Sequence, residues 1–230
     1  MQPYVFPYLG YFQLIESVDT FVFYDDVNFI KQGWINRNKL LLNNREFMFT
    51  IPLEDISSFR KINETRINKH QYQRWKKKFL RAITQEYSKA PYFENVYELI
   101  TLVLTKQINY ISELAVESIL AVCSYVSQSV DFKLSSENYT ELKDCDRQDR
   151  LVAMLKEESC HVYINSDGGR KLYNEFAFIK NSINLRFLSA GLPEYKQFNE
   201  VFVPGLSIID VLMFNSISQV RAMLSQYQLS

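Results

Sequence analysis

Histidine and cysteine are scarce in this sequence. With only two histidines a His-rich metal site is excluded, and the three cysteines, Cys123, Cys145 and Cys160, are too few and too far apart for a disulfide framework or a CxxC site. A reducing, cytoplasmic setting is the expectation. No apolar run reaches the roughly 18 residues that a membrane span needs, and no basic segment followed by an apolar stretch opens the chain, so neither a transmembrane helix nor a signal peptide is predicted. Charge of one sign is also lacking. Lysine plus arginine equals aspartate plus glutamate at 26 each, which argues against a nucleic-acid binder working by bulk charge. There is no GxSxG nucleophile elbow, no cysteine with a recognisable His–carboxylate pair, no fixed-period repeat and no low-complexity stretch.

What is present is an ordinary globular composition with many aromatics. Hydrophobic residues make up 47% and charged residues 23%, and the 15 Tyr, 17 Phe and 2 Trp argue for a packed core rather than disorder. A chain of 230 residues supports one such core. We expect a single domain over residues 1–230, with a helical insertion at about 69–127.

Local patterns give the order of elements. Met1 to Pro3 reads as the end of a strand, Tyr4 to Gly10 as a turn, Tyr11 to Val18 as a helix and Thr20 to Tyr24 as a strand. Strand, helix, strand is the start of a parallel sheet. Glu46 to Ile51 alternates as a strand. Tyr72, Trp75, Phe79 and Ile83 recur at helical spacing within a helix over 69–89, and two further helices follow at 92–106 and 109–127. The chain then alternates again: strand at 130–134, helix at 147–158, strand at 161–165, helix at 169–180, strand at 184–188. The predicted fold class is α/β, a Rossmann-like, mostly parallel sheet with an inserted helical block, and ligands are expected at the carboxyl ends of its strands.

Three segments carry candidate chemistry. Gln2, Pro3, Tyr4, Pro7, Gly10 and Tyr11 lie where a strand hands over to a helix N-terminus, where free N–H groups favour a phosphate or carboxylate; two prolines and a glycine also simply shape a tight connection. Asp25 and Asp26 follow a strand, ahead of Lys31, Trp34, Asn36, Arg37 and Asn38. A carboxylate pair there can hold a divalent cation such as Mg2+ with substrate phosphates or act as a base, Lys31 and Arg37 can bind phosphates, and Trp34 can stack on a sugar or base. The competing reading is a turn with a helix cap and solvated cations. Third, Gly168 and Gly169 between strand and helix let a backbone approach a ligand, or form a left-handed turn with an Asx cap. His70 with Lys76, Lys77 and Lys78 reads as solvated helix surface, and His161 as structural.

The stretch MQPYVFPYLGYFQLIESVDTFVFYDDVNFIKQGWINRN resembles the opening of the WbqC-like family. The likeness continues through WKKKFLRAITQEYSKAPYF, YINSDGGRKLY and FVPGLSIIDVLMFN, nearly the whole chain in the right order. The resemblance implies a role in bacterial surface polysaccharide (O-antigen, lipopolysaccharide) biosynthesis, with glycine transfer suggested for some members. It points to Gln2, Pro3, Pro7, Gly10, Tyr11, Asp25, Asp26, Lys31, Trp34, Asn36, Arg37, Asn38, Gly168, Gly169, Tyr173 and Asp210, and it implies residues upstream of the QPY motif that complete the first strand. A likeness of layout to HxGH nucleotidyltransferases lacks both histidines, with Tyr11 where the second would stand.

The expected function is transfer of an aminoacyl (glycyl) or other acyl group to a nucleotide-linked amino sugar. Asp25, Asp26 and Lys31 are the catalytic candidates; Gln2, Tyr4, Gly10, Tyr11, Trp34, Asn36, Arg37, Asn38, Gly168, Gly169 and Tyr173 are the substrate-binding candidates. No resident metal is assigned, Mg2+ being the one cofactor the carboxylates suggest. The expected partners are a small-molecule substrate (nucleotide sugar or acyl donor) and a carrier protein, with no nucleic acid. Nucleotidyl transfer and non-catalytic sugar-nucleotide binding or scaffolding are the alternatives.

Overall fold

The computed structural model describes residues Met1 to Ser230. After the proline-rich opening loop comes α1 (Leu9–Glu16), whose residues from Leu9 to Ile15 are all buried. A helix apolar on every side is enclosed by its own fold. β1 (Thr20–Phe23) follows. The Met1 amine donates to the Val22 carbonyl at 2.7 Å, and the Met1 carbonyl accepts from the Tyr24 amide at 2.8 Å, a parallel-type bridge along β1. Pro3 has no N–H with which to extend it.

β2 (Arg37–Leu42) and β3 (Arg45–Thr50) form an antiparallel hairpin. Asn43 and Asn44 take φ of 51° and 59°, the left-handed pair that a tight two-residue turn requires and that asparagine tolerates. β3 matches the alternation from Glu46 to Ile51, whereas Arg37 and Asn38, expected in a polar loop, are part of a strand. They open β2, where burial of Asn38, Leu40 and Leu41 against the core decides the conformation.

The helical block matches the spacing that predicted it: α2 (Lys69–Tyr87), α3 (Phe93–Thr105) and α4 (Ile111–Tyr125). Asn68 caps α2 by accepting from the Gln71 amide at 3.0 Å. Tyr72, Trp75 and Phe79 stack along α2, and Phe79 meets Phe49 of β3 at 4.9 Å between ring centroids. One continuous core of 42 buried residues runs from Val5 through these helices to Leu224, so the block shares its packing with the rest.

The second half holds β4 (Asp131–Leu134), α5 (Ser135–Asn138), α6 (Arg147–Glu157), β5 (Val162–Ser166), a 3-10 segment (Asp167–Leu172), α7 (Glu175–Ile179), β6 (Asn184–Ala190), α8 (Ile208–Phe214), α9 (Ile217–Leu224) and β7 (Tyr227–Leu229). The helix expected over 169–180 is broken. Gly168 and Gly169 favour the tight 3-10 stretch, and Asn174 starts a new helix by accepting from the Phe176 amide.

The fold is mixed α/β, but the predicted Rossmann-like sheet is not a single sheet. β1 and β4 pair in parallel; β5 and β6 pair in parallel with β7 antiparallel on the far side of β6. The two groups are bridged by α1, which packs on β5 and β6, rather than by strand hydrogen bonds. No helix is long and apolar enough to cross a membrane.

Candidate ligand site at the ends of the parallel strands

Because β1 and β4 are parallel, the residues that follow them emerge at the same edge. Asp25 and Asp26 leave β1 there, and Ser135 and Ser136 leave β4. Asp25 Oδ1 accepts from the Ser136 amide at 3.0 Å and Asp25 Oδ2 from the Ser136 hydroxyl at 2.6 Å. The Ser135 hydroxyl accepts from the Asp25 amide at 3.1 Å, and its one proton lies between Asp25 Oδ1 at 3.0 Å and Asp26 Oδ1 at 2.5 Å. The turn-and-cap reading of the Asp-Asp pair thus describes Asp25, with the capped helix 110 residues away in the chain.

Asp26 faces Arg150, on the buried side of α6. The guanidinium donates through both terminal nitrogens, at 3.1 Å to Oδ1 and 2.6 Å to Oδ2, and both side chains are buried. Burial by itself raises the Asp26 pKa. Hydrogen bonds from Arg150 and Ser135 and the guanidinium charge outweigh it and hold the carboxyl below its ordinary value. Arg150 also lies over the Tyr24 ring at 5.1 Å, and its buried Nε has no partner.

The end of β5, in the second parallel pair, carries a polar cluster of its own. Asn165 donates through Nδ2 to the hydroxyls of Tyr163 at 2.8 Å and Tyr173 at 2.9 Å. Burial raises the pKa values of Tyr4, Tyr8, Tyr24 and Tyr163, so each presents a neutral hydroxyl. Asp167 accepts from Ser189 and, at 2.9 Å, from Arg170 Nε, and these bonds lower its pKa. On the other side of the Asp25 peptide, the Asn63 amide donates to the Asp25 carbonyl at 3.0 Å. Asn63 lines a polar groove of about 520 Å³ with Glu54, Asp55, Arg60, Glu64, Arg66 and Tyr110.

The structure separates the residues that the sequence put in one cluster. Asn36 is buried, donating to the Ile51 carbonyl at 2.9 Å. Asn38, also buried, donates to the Phe6 carbonyl at 2.7 Å. Phe6, at φ 44°, is a strained left-handed residue whose amide donates to Ser118 Oγ at 2.9 Å and whose carbonyl also accepts from Ser207 Oγ at 2.7 Å. Lys31 and Trp34 sit on an exposed turn, and Arg37, 5.9 Å over the Trp34 ring, donates from Nε to the Gly33 carbonyl. Tyr11 is in the core and donates to the Gln2 carbonyl at 2.9 Å; Gln2 and Tyr4 are half-buried.

Two expectations need correction. The N-terminus of α1 is not open to a phosphate, because Leu9, Gly10 and Tyr11 are buried; a Cβ on Gly10 would lie 2.5 Å from the Tyr8 ring and 2.6 Å from Ala190 Cβ. Gly10 is there for close packing. Nor do Gly168 and Gly169 form a left-handed turn: neither has positive φ. Gly169 makes room for the Asn165 amide, 3.1 Å from where its Cβ would be, while Gly168 faces open space.

Arg150, Ser135, Ser136, Tyr24 and Tyr163 were not identified from sequence. A signal existed for Arg150, which stands four residues before Met154 on the buried stripe of α6, where an arginine needs a carboxylate partner. Elsewhere Asp210, fully buried on α8, accepts from Tyr87 at 2.7 Å, Tyr195 at 2.6 Å and Gln197 at 2.8 Å. Burial raises its pKa, only partly opposed by these hydrogen bonds.

Residues 2–222 match the WbqC-like protein family. The chain belongs to that family. This WbqC-like chain is also similar to a protein of Mycobacterium tuberculosis (strain ATCC 25618 / H37Rv) described as uncharacterized protein Rv1507c, at 32% identity over 212 residues, which is 91% of this chain and 89% of the relative. No solved structure matches it.

Proposed function

We propose that this WbqC-like protein acts in bacterial surface polysaccharide assembly, binding a nucleotide-linked amino sugar at the strand ends and transferring an aminoacyl or other acyl group to its amine. The observation that carries this reading is the buried Asp25–Asp26–Ser135–Arg150 cluster, which ties the ends of β1, β4 and α6 into one rigid floor beside a polar groove. Asn63, whose amide donates to the Asp25 carbonyl, also lines that groove, which is open and charged. The neutral hydroxyls of the half-buried Tyr8 and Tyr24 suit sugar hydroxyls, and Gly168 allows close backbone approach.

In the transfer the acceptor nitrogen forms a bond to the acyl carbon, the bond to the donor's leaving group breaks, and the nitrogen gives up a proton. Asp26, held in a fork by Arg150, is suited to orienting that floor. Asp25 Oδ2, which accepts only from the Ser136 hydroxyl, is the oxygen of the pair best able to take the proton. Lys31, on the exposed turn, bonds neither carboxylate and takes no part in the transfer.

A second reading, sugar-nucleotide binding without turnover, is favoured by the same geometry, since both carboxylates are already engaged. Thermal shift against nucleotide amino sugars, nucleoside triphosphates with Mg2+ and acyl-coenzyme A tests binding. Ligand at about 100 times its Kd adds roughly 2.7 kcal/mol. Stabilisation by amino-sugar nucleotides followed by a mass gain on the sugar supports transfer; stabilisation without a product supports the binder. No response to any nucleotide sugar overturns both.

A further inference from the structure

Two turns at one end of the molecule carry features that the ligand site does not use. Asn28 and Lys61 form an antiparallel bridge, and the Phe29 amide donates to the Arg60 carbonyl at 2.8 Å, so the turn closing at Gly33 and the turn closing at Arg60 lie side by side. Their apolar residues face water: Phe59 is 92% exposed, Ile30 52%, Ile56 45% and Trp34 42%. Leaving four such side chains in water forfeits burial that the core gives the neighbouring Phe29 and Ile35.

Within the two turns themselves the charges are all of one sign. From Val27 to Arg37 the charged residues are Lys31 and Arg37, and from Ile56 to Lys61 they are Arg60 and Lys61; neither stretch contains a carboxylate. The acids Glu54, Asp55 and Glu64 stand next to the second turn in sequence and, with Arg60, line the polar groove beside it. Another exposed apolar stretch, Leu172, Phe176 and Ile179, has Glu175 among them.

From the pairing of these two turns, the structure assigns Ile30, Trp34, Ile56 and Phe59, with Lys31 and Lys61 beside them, as a docking surface for an anionic lipid bilayer. Aromatic and aliphatic tips enter the boundary between headgroups and acyl chains, and the lysines meet lipid phosphates. Lysine is depleted at protein–protein interfaces, whereas cations beside aromatic anchors are the arrangement that a membrane interface selects. The surface borders the polar groove at Arg60, but its apolar anchors and lysines take no part in the acyl-transfer reading.

The test is flotation of the whole protein with vesicles of phosphatidylglycerol and phosphatidylcholine, against phosphatidylcholine alone, at low and high salt. Binding is expected to the anionic vesicles only, and to weaken with salt. Phe59→Ser should lower the apparent affinity about ten-fold and Lys61→Ala about five-fold. In a Trp75→Phe background, emission from Trp34 should move to shorter wavelength on adding anionic vesicles. Circular dichroism and melting of Phe59→Ser should match the parent, since the side chain touches little of the fold. Three results overturn the proposal: no binding to anionic vesicles at low salt, binding unaffected by both substitutions, or a concentration-dependent dimer that Phe59→Ser dissolves, which would make the surface an interface between copies.

Discussion

Arg150 and Asp26, 124 residues apart in sequence, meet through two parallel N–H···O bonds in a buried site. The pair fastens α6 to the end of β1. Removing either partner leaves the other charge buried and alone, which typically costs about 3–5 kcal/mol. Arg150→Met and Asp26→Asn should therefore each lower the urea midpoint substantially, and the double substitution Asp26→Asn/Arg150→Met should recover part of the loss. Strict additivity in the cycle would show that the two residues are not coupled. A fall in activity of Asp26→Asn says little about chemistry until its folded fraction is known.

Two buried carboxylates, Asp26 and Asp210, tilt stability against pH in opposite senses. Asp26 has a folded-state pKa below its unfolded value, so its contribution is present above the unfolded carboxyl value of about 4 and is lost as pH falls through the depressed folded value. Asp210 has a raised folded-state pKa, so folding gains as pH falls through that raised value and loses again above it. Urea midpoints measured from neutral pH downwards should show the acid-side loss flatten in the Asp26→Asn/Arg150→Met protein. In Asp210→Asn the gain on mild acidification should disappear.

The two kinds of glycine predict two kinds of result. Gly10→Ala must displace Tyr8 or Ala190 and should lower the melting temperature markedly. Gly168→Ala has open space and no positive φ, so its stability should be unchanged or raised by about 0.4–1 kcal/mol. If ligand backbone contacts run through Gly168, the same variant should bind nucleotide sugar more weakly while melting normally. Undiminished affinity would remove Gly168 from the site.

The strained Phe6 offers a test of the opening loop. Ser118→Ala removes the acceptor for its buried amide, which should cost about 1–3 kcal/mol. Asn38→Ala should cost a similar amount through the Phe6 carbonyl. Equilibrium denaturation of both variants measures it. Asn38→Ala with parental stability but weakened ligand binding would instead return Asn38 to the ligand site.

Periodicity and local chemistry made much of the fold legible. The apolar spacing of α2, α3 and α4, the alternation in β3 and the short β-branched and aromatic run of β1 are properties of neighbouring residues, and the sequence alone determined them. It also determined the family, because four ordered motifs span nearly the chain, and it marked the Asp25–Asp26 step as a strand end. Only tertiary structure decided what those carboxylates meet, that Asn36 and Asn38 serve buried carbonyls, that Gly10 is for packing, and that the parallel strands stay in separate groups. These outcomes depend on contacts such as Asp26 to Arg150 and Asn38 to Phe6. Hydrogen-bonding need is written into each residue, but the partner that satisfies it is chosen by the packing of distant segments.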